Sequence, residues 1–275
     1  MSKPNNAPAK GSTGASQNNE WFAPAVMIIS LIVAELVFHM IMGKGSNFEN
    51  NDPVRGHPHN ALGIIYKGGF IVPLLMTMAL CVIVFSVERL LTLRAANGKG
   101  SVPEFIKKVQ ASLNGNNVDA AISECDKQKG SVANVVRSGL VKYKEMQSNT
   151  ELEKDQKIAA IQQEIEESTA LEMPMLEQNM PVLSTIASVG TLVALLGTVI
   201  GMIKAFSGMA TAGAPDAVAL STGISEALIN TALGIGTSAF AIIMYNYFTA
   251  RIDGLSYRID EAAFSMGQTF ATHNK

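Results

Sequence analysis

Gly223-Ile224-Ser225-Glu226-Ala227-Leu228-Ile229-Asn230-Thr231-Ala232-Leu233-Gly234 is the stretch that decides how this chain is built. Glu226 is the only charged residue between Ala217 and Ala250. Upstream, Gln178 to Ile203 has no charge at all and includes Leu195-Leu196-Gly197-Thr198-Val199-Ile200-Gly201. Both stretches exceed the ~20 apolar residues that cross a hydrocarbon core of ~30 Å. A carboxylate in such a core is costly, so it faces a bundle interior or a watery path and is a functional candidate. Two polar-lined apolar helices joined by a short connection point to ion passage rather than substrate chemistry.

Composition agrees with a membrane chain. Of 275 residues, 48% are hydrophobic and only 16% charged, against about 25% charged in an average soluble domain. A net charge of −2 and the lack of a basic patch interleaved with aromatics exclude nucleic acid as a partner. Cys81 and Cys125 are too few for a disulfide framework or a zinc site. Cys81 lies in an apolar run and reads as packing; Cys125 lies in a polar segment that suits a reducing compartment. No catalytic triad, phosphate loop or nucleophile elbow is present, so an enzyme is not expected and no cofactor is implied.

The expected fold is an all-α integral membrane protein with four transmembrane helices, its long helices extending into a cytoplasmic helical section. Residues 1–22 read as a disordered cytoplasmic tail rich in Asn, Pro, Ala, Gly and Ser, with Trp21 and Phe22 as interfacial aromatics. Spans follow at 23–43, 68–88, 182–206 and 224–250. Residues 44–67 form a periplasmic loop, 89–181 the cytoplasmic section, 207–223 a periplasmic turn and 251–275 a cytoplasmic tail. Orientation rests on Arg89, Arg94 and Lys99 after the second span and Arg251 and Arg258 after the fourth, while 207–223 has no Lys or Arg. In the cytoplasmic section, Pro103-Glu104 starts a helix, Asn114-Gly115-Asn116-Asn117 is a turn, and Val118 to Lys127 is a further helix. Pro174 and Pro181 predict a kink ahead of the third span.

Polar residues fall on defined faces of the last two spans. Gly197 and Gly201 form a GxxxG pair that allows close helix approach. Thr191 and Thr198 share a stripe, and so do Thr222, Glu226, Asn230 and Gly234. Thr231 lies about 140° around the helix from Glu226. Either the polar face is wide, or the two have different neighbours. The carboxylate could be neutral, or ionised beside water or a cation.

These residues, with Tyr245-Asn246 and weaker matches at Val72-Pro73-Leu74-Leu75, Glu88-Arg89-Leu90 and Asp119-Ala120-Ala121-Ile122, resemble the MotA/TolQ/ExbB proton-channel family, and within it the ExbB branch. The resemblance implies a motor subunit in the inner membrane of a Gram-negative bacterium. It would assemble as a homopentamer around an ExbD-like single-span subunit in the central pore. Proton flow would then act through a TonB-like protein to energise outer-membrane transport. It also implies pore-facing roles for Thr198, Thr231 and Glu226. Asn230 stands where the family often has a small residue and would add polarity near the pore. Gly197, Gly201 and Gly234 would serve helix packing. Family members often have Pro where this chain has Thr191, Thr222 and Phe240.

The first span has no counterpart in the usual three-span members. Its Glu35 and His39 lie one turn apart, which favours mutual pairing or contact with the second span over an accessory proton site. Lys204 reads as a side chain snorkelling to the headgroups. His57 and His59 lack further ligands at metal spacing, so no metal is expected. A TolQ-like or gliding-motor channel uses the same mechanism with other partners. A non-conducting scaffold is the rival of a different class, and Glu226, Thr231 and Thr198 together argue against it.

Overall fold

A computed structural model describes residues 21–54, 56–211 and 217–273. The tail read as disordered at residues 1–20 lies outside the described residues, as does the centre of the turn between the last two spans, 212–216. The elements are α1 (Phe22–Leu36), α2 (Ala61–Tyr66), α3 (Ile71–Asn97), α4 (Val102–Asn114), α5 (Val118–Gln128), α6 (Ser131–Ser148), α7 (Lys154–Glu177), α8 (Met180–Thr211) and α9 (Ala217–His273). A π-helical turn, Val37–Met42, continues α1, and two 3₁₀ turns follow at Gly45–Asn47 and Glu49–Asn51. Among the described residues the only β contact is an isolated bridge between Phe48 and Pro58. Among the described residues four helical stretches are long and apolar enough to cross a membrane: Phe22–Met42, Ile71–Asn114, Met180–Ser207 and Leu220–His273. The protein is an all-α, multi-pass membrane protein.

Two compact units divide the chain: Met1–Cys81 with Val193–Gly234, and Val82–Leu192 with Ile235–Lys275. In the first, Phe38, Met42 and Val72 form a buried cluster joined by Ile65, Tyr66, Ile229 and Leu233. Phe38 stacks on Tyr66 with ring centroids 4.6 Å apart, and Phe48 meets the same ring edge-on at 5.6 Å. Asn47 organises the loop between the first two spans. Its Nδ2 donates to the carbonyls of Ile41 (2.7 Å) and Met42 (2.9 Å), which the end of the helix leaves open, and its Oδ1 accepts from Asn60 Nδ2 at 3.0 Å. Asn60 in turn caps α2 by accepting from the Gly63 amide. The segment expected as a plain loop is therefore a small folded cap.

The second unit is a helical bundle with its own core. Each of its helices buries one stripe: Val102, Phe105, Ile106, Val109 and Leu113 on α4, and Val132, Val135, Val136, Leu140 and Tyr143 on α6. Pro103 sits in the first turn of α4 and Asn117 caps α5, as their residue types predict. The C-terminal part of α9 adds Ile252, Leu255, Ile259, Ala262, Met266 and Phe270 to the core. Phe270 meets Tyr143 edge-on at 4.9 Å. Residues 251–273 thus continue the helix of the fourth span, because apolar residues recur every three or four positions and no Pro intervenes.

One expectation is corrected at the entry to the third span. Pro174 stays inside α7, and the chain breaks instead at Gln178 and Asn179, where Asn179 adopts φ 65°. Asn tolerates this left-handed conformation better than other non-glycine residues. The break lets Pro181 fall in the first turn of α8, where its missing amide costs nothing.

Candidate functional site

α8 and α9 run antiparallel within the first unit and approach closely through small residues. A Cβ placed on Gly201 would lie 2.9 Å from both the Ala227 amide nitrogen and the Gly223 carbonyl oxygen. One on Gly197 would lie 2.7 Å from Asn230 Cβ. Gly201 thus packs against the backbone of α9 and Gly197 makes room for the Asn230 side chain, with Gly234 buried further along α9.

Two polar rungs cross this packed pair. In the first, the hydroxyls of Thr198 and Thr231 are 2.5 Å apart. Thr198 also reaches the carbonyls of Ala194 (3.1 Å) and Ala227 (3.4 Å), and Thr231 reaches that of Ala227 (3.0 Å). A hydroxyl carries one proton and two lone pairs. One threonine therefore donates to the other, which donates to a backbone carbonyl, and the direction can reverse with no heavy atom moving. Both side chains are half-buried in the protomer.

In the second rung, Lys204 Nζ donates to Glu226 Oε1 at 2.7 Å. Six residues separate Lys204 from Thr198 and five separate Glu226 from Thr231, so the rungs are about 8 Å apart along the helices. Glu226 is 6% exposed. Lys204, expected to snorkel to the headgroups, pairs with the Glu226 carboxylate across the helix pair, which compensates its charge, while its side chain stays 50% exposed. The Lys204 ammonium also lies 5.6 Å from the centre of the Phe70 ring.

Glu226 and Asn230, on one stripe of α9, both meet the turn ahead of α3. Gly69 has φ +78°, a conformation that favours glycine, and a Cβ there would force the Glu226 carboxylate to shift. Asn230 Nδ2 donates to the Gly68 carbonyl at 3.0 Å. The sequence places Asn230 near a pore; in the fold it is fully buried in the protomer, with its Oδ1 lacking a hydrogen-bond partner among the described residues. The 140° between Glu226 and Thr231 resolves as two sets of neighbours. Thr231 faces α8, and Glu226 faces Lys204 and the Gly68-Gly69 turn.

Glu35 and His39 stand apart from both rungs. His39 Nε2 is 3.3 Å from Glu35 Oε2, one turn away on the first span. Lys204, Gly68 and Gly69 are the site residues that sequence reading missed. A signal for Lys204 existed: it lies three residues before the connection 207–223 and Glu226 three after it, so an antiparallel hairpin brings them level.

Residues 128–261, which hold both rungs, match the family model of the MotA/TolQ/ExbB proton channel family. No curated protein matches the chain.

Proposed function

We propose that this chain, which belongs to the MotA/TolQ/ExbB proton channel family, is an ExbB-type subunit of an inner-membrane motor driven by the proton-motive force. In this reading it forms a homopentamer around an ExbD-like single-span partner. Force passes through a TonB-like protein to outer-membrane transporters. Thr198 and Thr231 line the proton path, Glu226 supplies the carboxylate beside it, and Asn230 holds the α9 stripe against the second span. Both termini and the helical section after the second span lie in the cytoplasm.

The observation that carries this reading is the reversible hydroxyl pair of Thr198 and Thr231 on the same helix pair as a buried carboxylate, inside the family-matched stretch. A scaffold would gain from Leu or Ala at these positions, since each buried polar group must be compensated. The test is energised uptake in cells. Glu226→Ala and Glu226→Gln are both expected to abolish it while the oligomer still assembles. Normal uptake in both variants would overturn the assignment and favour the scaffold.

A further inference from the structure

Glu226 is a carboxylate in a transmembrane helix, and such a group can take a proton or bind an alkali cation. The surroundings bear on which. Lys204 Nζ sits on Glu226 Oε1 at 2.7 Å, the Phe70 ring lies 5.6 Å from the same ammonium, and Gly69 closes over the carboxylate. The Glu226 side chain is only 8% exposed, whereas that of Lys204 is 50% exposed and reaches the carboxylate from the open side. An ammonium at hydrogen-bond distance occupies the place a bound Na⁺ would take, and Lys cannot leave the chain. A second cation at the same carboxylate oxygen would meet like charge at close range. A proton differs, because it adds to a carboxylate oxygen and needs no coordination shell of its own, whereas alkali and alkaline-earth cations collect several oxygens.

We infer that Lys204 is a selectivity residue: its ammonium is a built-in counter-cation that closes Glu226 to sodium and leaves the path to protons. Lys204 acts through Glu226 and is a positioning residue rather than a carrier. The inference rests on the proton-path reading above and adds the residue that keeps sodium off the carboxylate. A purely structural role, neutralising Glu226 so that α8 and α9 can pack, would make the rung matter for assembly but not for ion choice.

Infrared difference spectra of the full-length chain in lipid nanodiscs separate the two. Sodium chloride is exchanged for choline chloride at matched pH and ionic strength, and Glu226→Gln identifies the Glu226 carboxylate band. The native chain is expected to show no sodium-dependent change in that band. Lys204→Gln should show a sodium-dependent shift that disappears in Lys204→Gln/Glu226→Gln, and Lys204→Arg should behave as native. A sodium-sensitive Glu226 band in the native chain overturns the inference, and so does a Lys204→Gln chain that assembles and stays silent. A Lys204→Gln chain that fails to assemble while Lys204→Arg assembles supports the purely structural role and overturns the inference as well. These spectra need no partner subunit. A native chain that ignores sodium but carries no protons with its partner would therefore sink the proposed function and leave standing only that Lys204 keeps sodium off Glu226.

Discussion

Thr198 and Thr231 are the smallest parts on which the account depends. Each hydroxyl has a backbone carbonyl and its counterpart within reach, so removing one leaves the other with one partner fewer. Such a loss costs about 1–3 kcal/mol, or about one to two decades in a rate. Thr→Ser at either position should keep most energised uptake, and Thr→Val should lose most of it with the oligomer unchanged in detergent. Normal uptake in the Val variants would make these threonines packing residues. Cys125 offers an independent check on the bundle. Burial, helped by the charge of Asp126, pushes its thiol up to about 12, so almost none is thiolate near neutral pH. An aqueous thiol reagent should leave Cys125 unmodified in the folded chain and modify it on denaturation; rapid native labelling would contradict its placement in the core. At this scale the sequence was a partial guide. Glu226 was conspicuous as a lone charge, and its separation from Thr231 was visible as a helical angle. Its partner, Lys204, is 22 residues away and was legible only through the hairpin that sets the two level across the connection 207–223.

Among elements, the junction of α7 and α8 is held by a single buried arginine. Arg89 is 1% exposed and its Nη1 donates to the carbonyls of Leu176 (3.0 Å) and Met175 (3.3 Å) at the end of α7. A cation there satisfies carbonyls that lack helical partners and opposes the negative end of the helix dipole. Its charge is balanced by Glu88, which also accepts from Thr92 at 3.1 Å and Asn179 at 3.4 Å. Arg89→Met leaves both Glu88 and the carbonyls uncompensated and should cost about 3–5 kcal/mol, whereas Glu88→Gln/Arg89→Met should recover part of this. Thermal unfolding of the detergent-solubilised chain checks it; a double variant no more stable than the single one would contradict the pairing. Long elements were legible because apolar runs and 3.6-residue stripes mark them. The break at Asn179 and the Asn47 cap were not, since both depend on side chains that reach backbone carbonyls set by the fold.

At the scale of the molecule, four apolar helices long enough to cross a membrane lie among the described residues, and the proposed orientation rests on the distribution of Lys and Arg. Single cysteines placed at Ser12, Asn51, Asn116 and Thr272 should show only Asn51 reachable from outside by an impermeant reagent. Both native cysteines are buried and free, so they should contribute little background. External labelling at Ser12 would mean that the first span does not cross as assigned. The first span carries many exposed apolar side chains, Ile28, Ile29, Leu31, Ile32 and Leu36 among them, which lipid or neighbouring subunits would cover in this assembly. Composition and span count were readable at this scale. Stoichiometry and partners were not, because they reside in surfaces that a single chain leaves open.

Proton flux tests the central claim most directly. The chain and its co-purified single-span partner are reconstituted in liposomes with an internal pH dye, and a membrane potential is imposed. The account predicts acidification in the native complex and its loss in Glu226→Gln, with both complexes of equal size. Equal flux in the two, or none in the native complex, would contradict it.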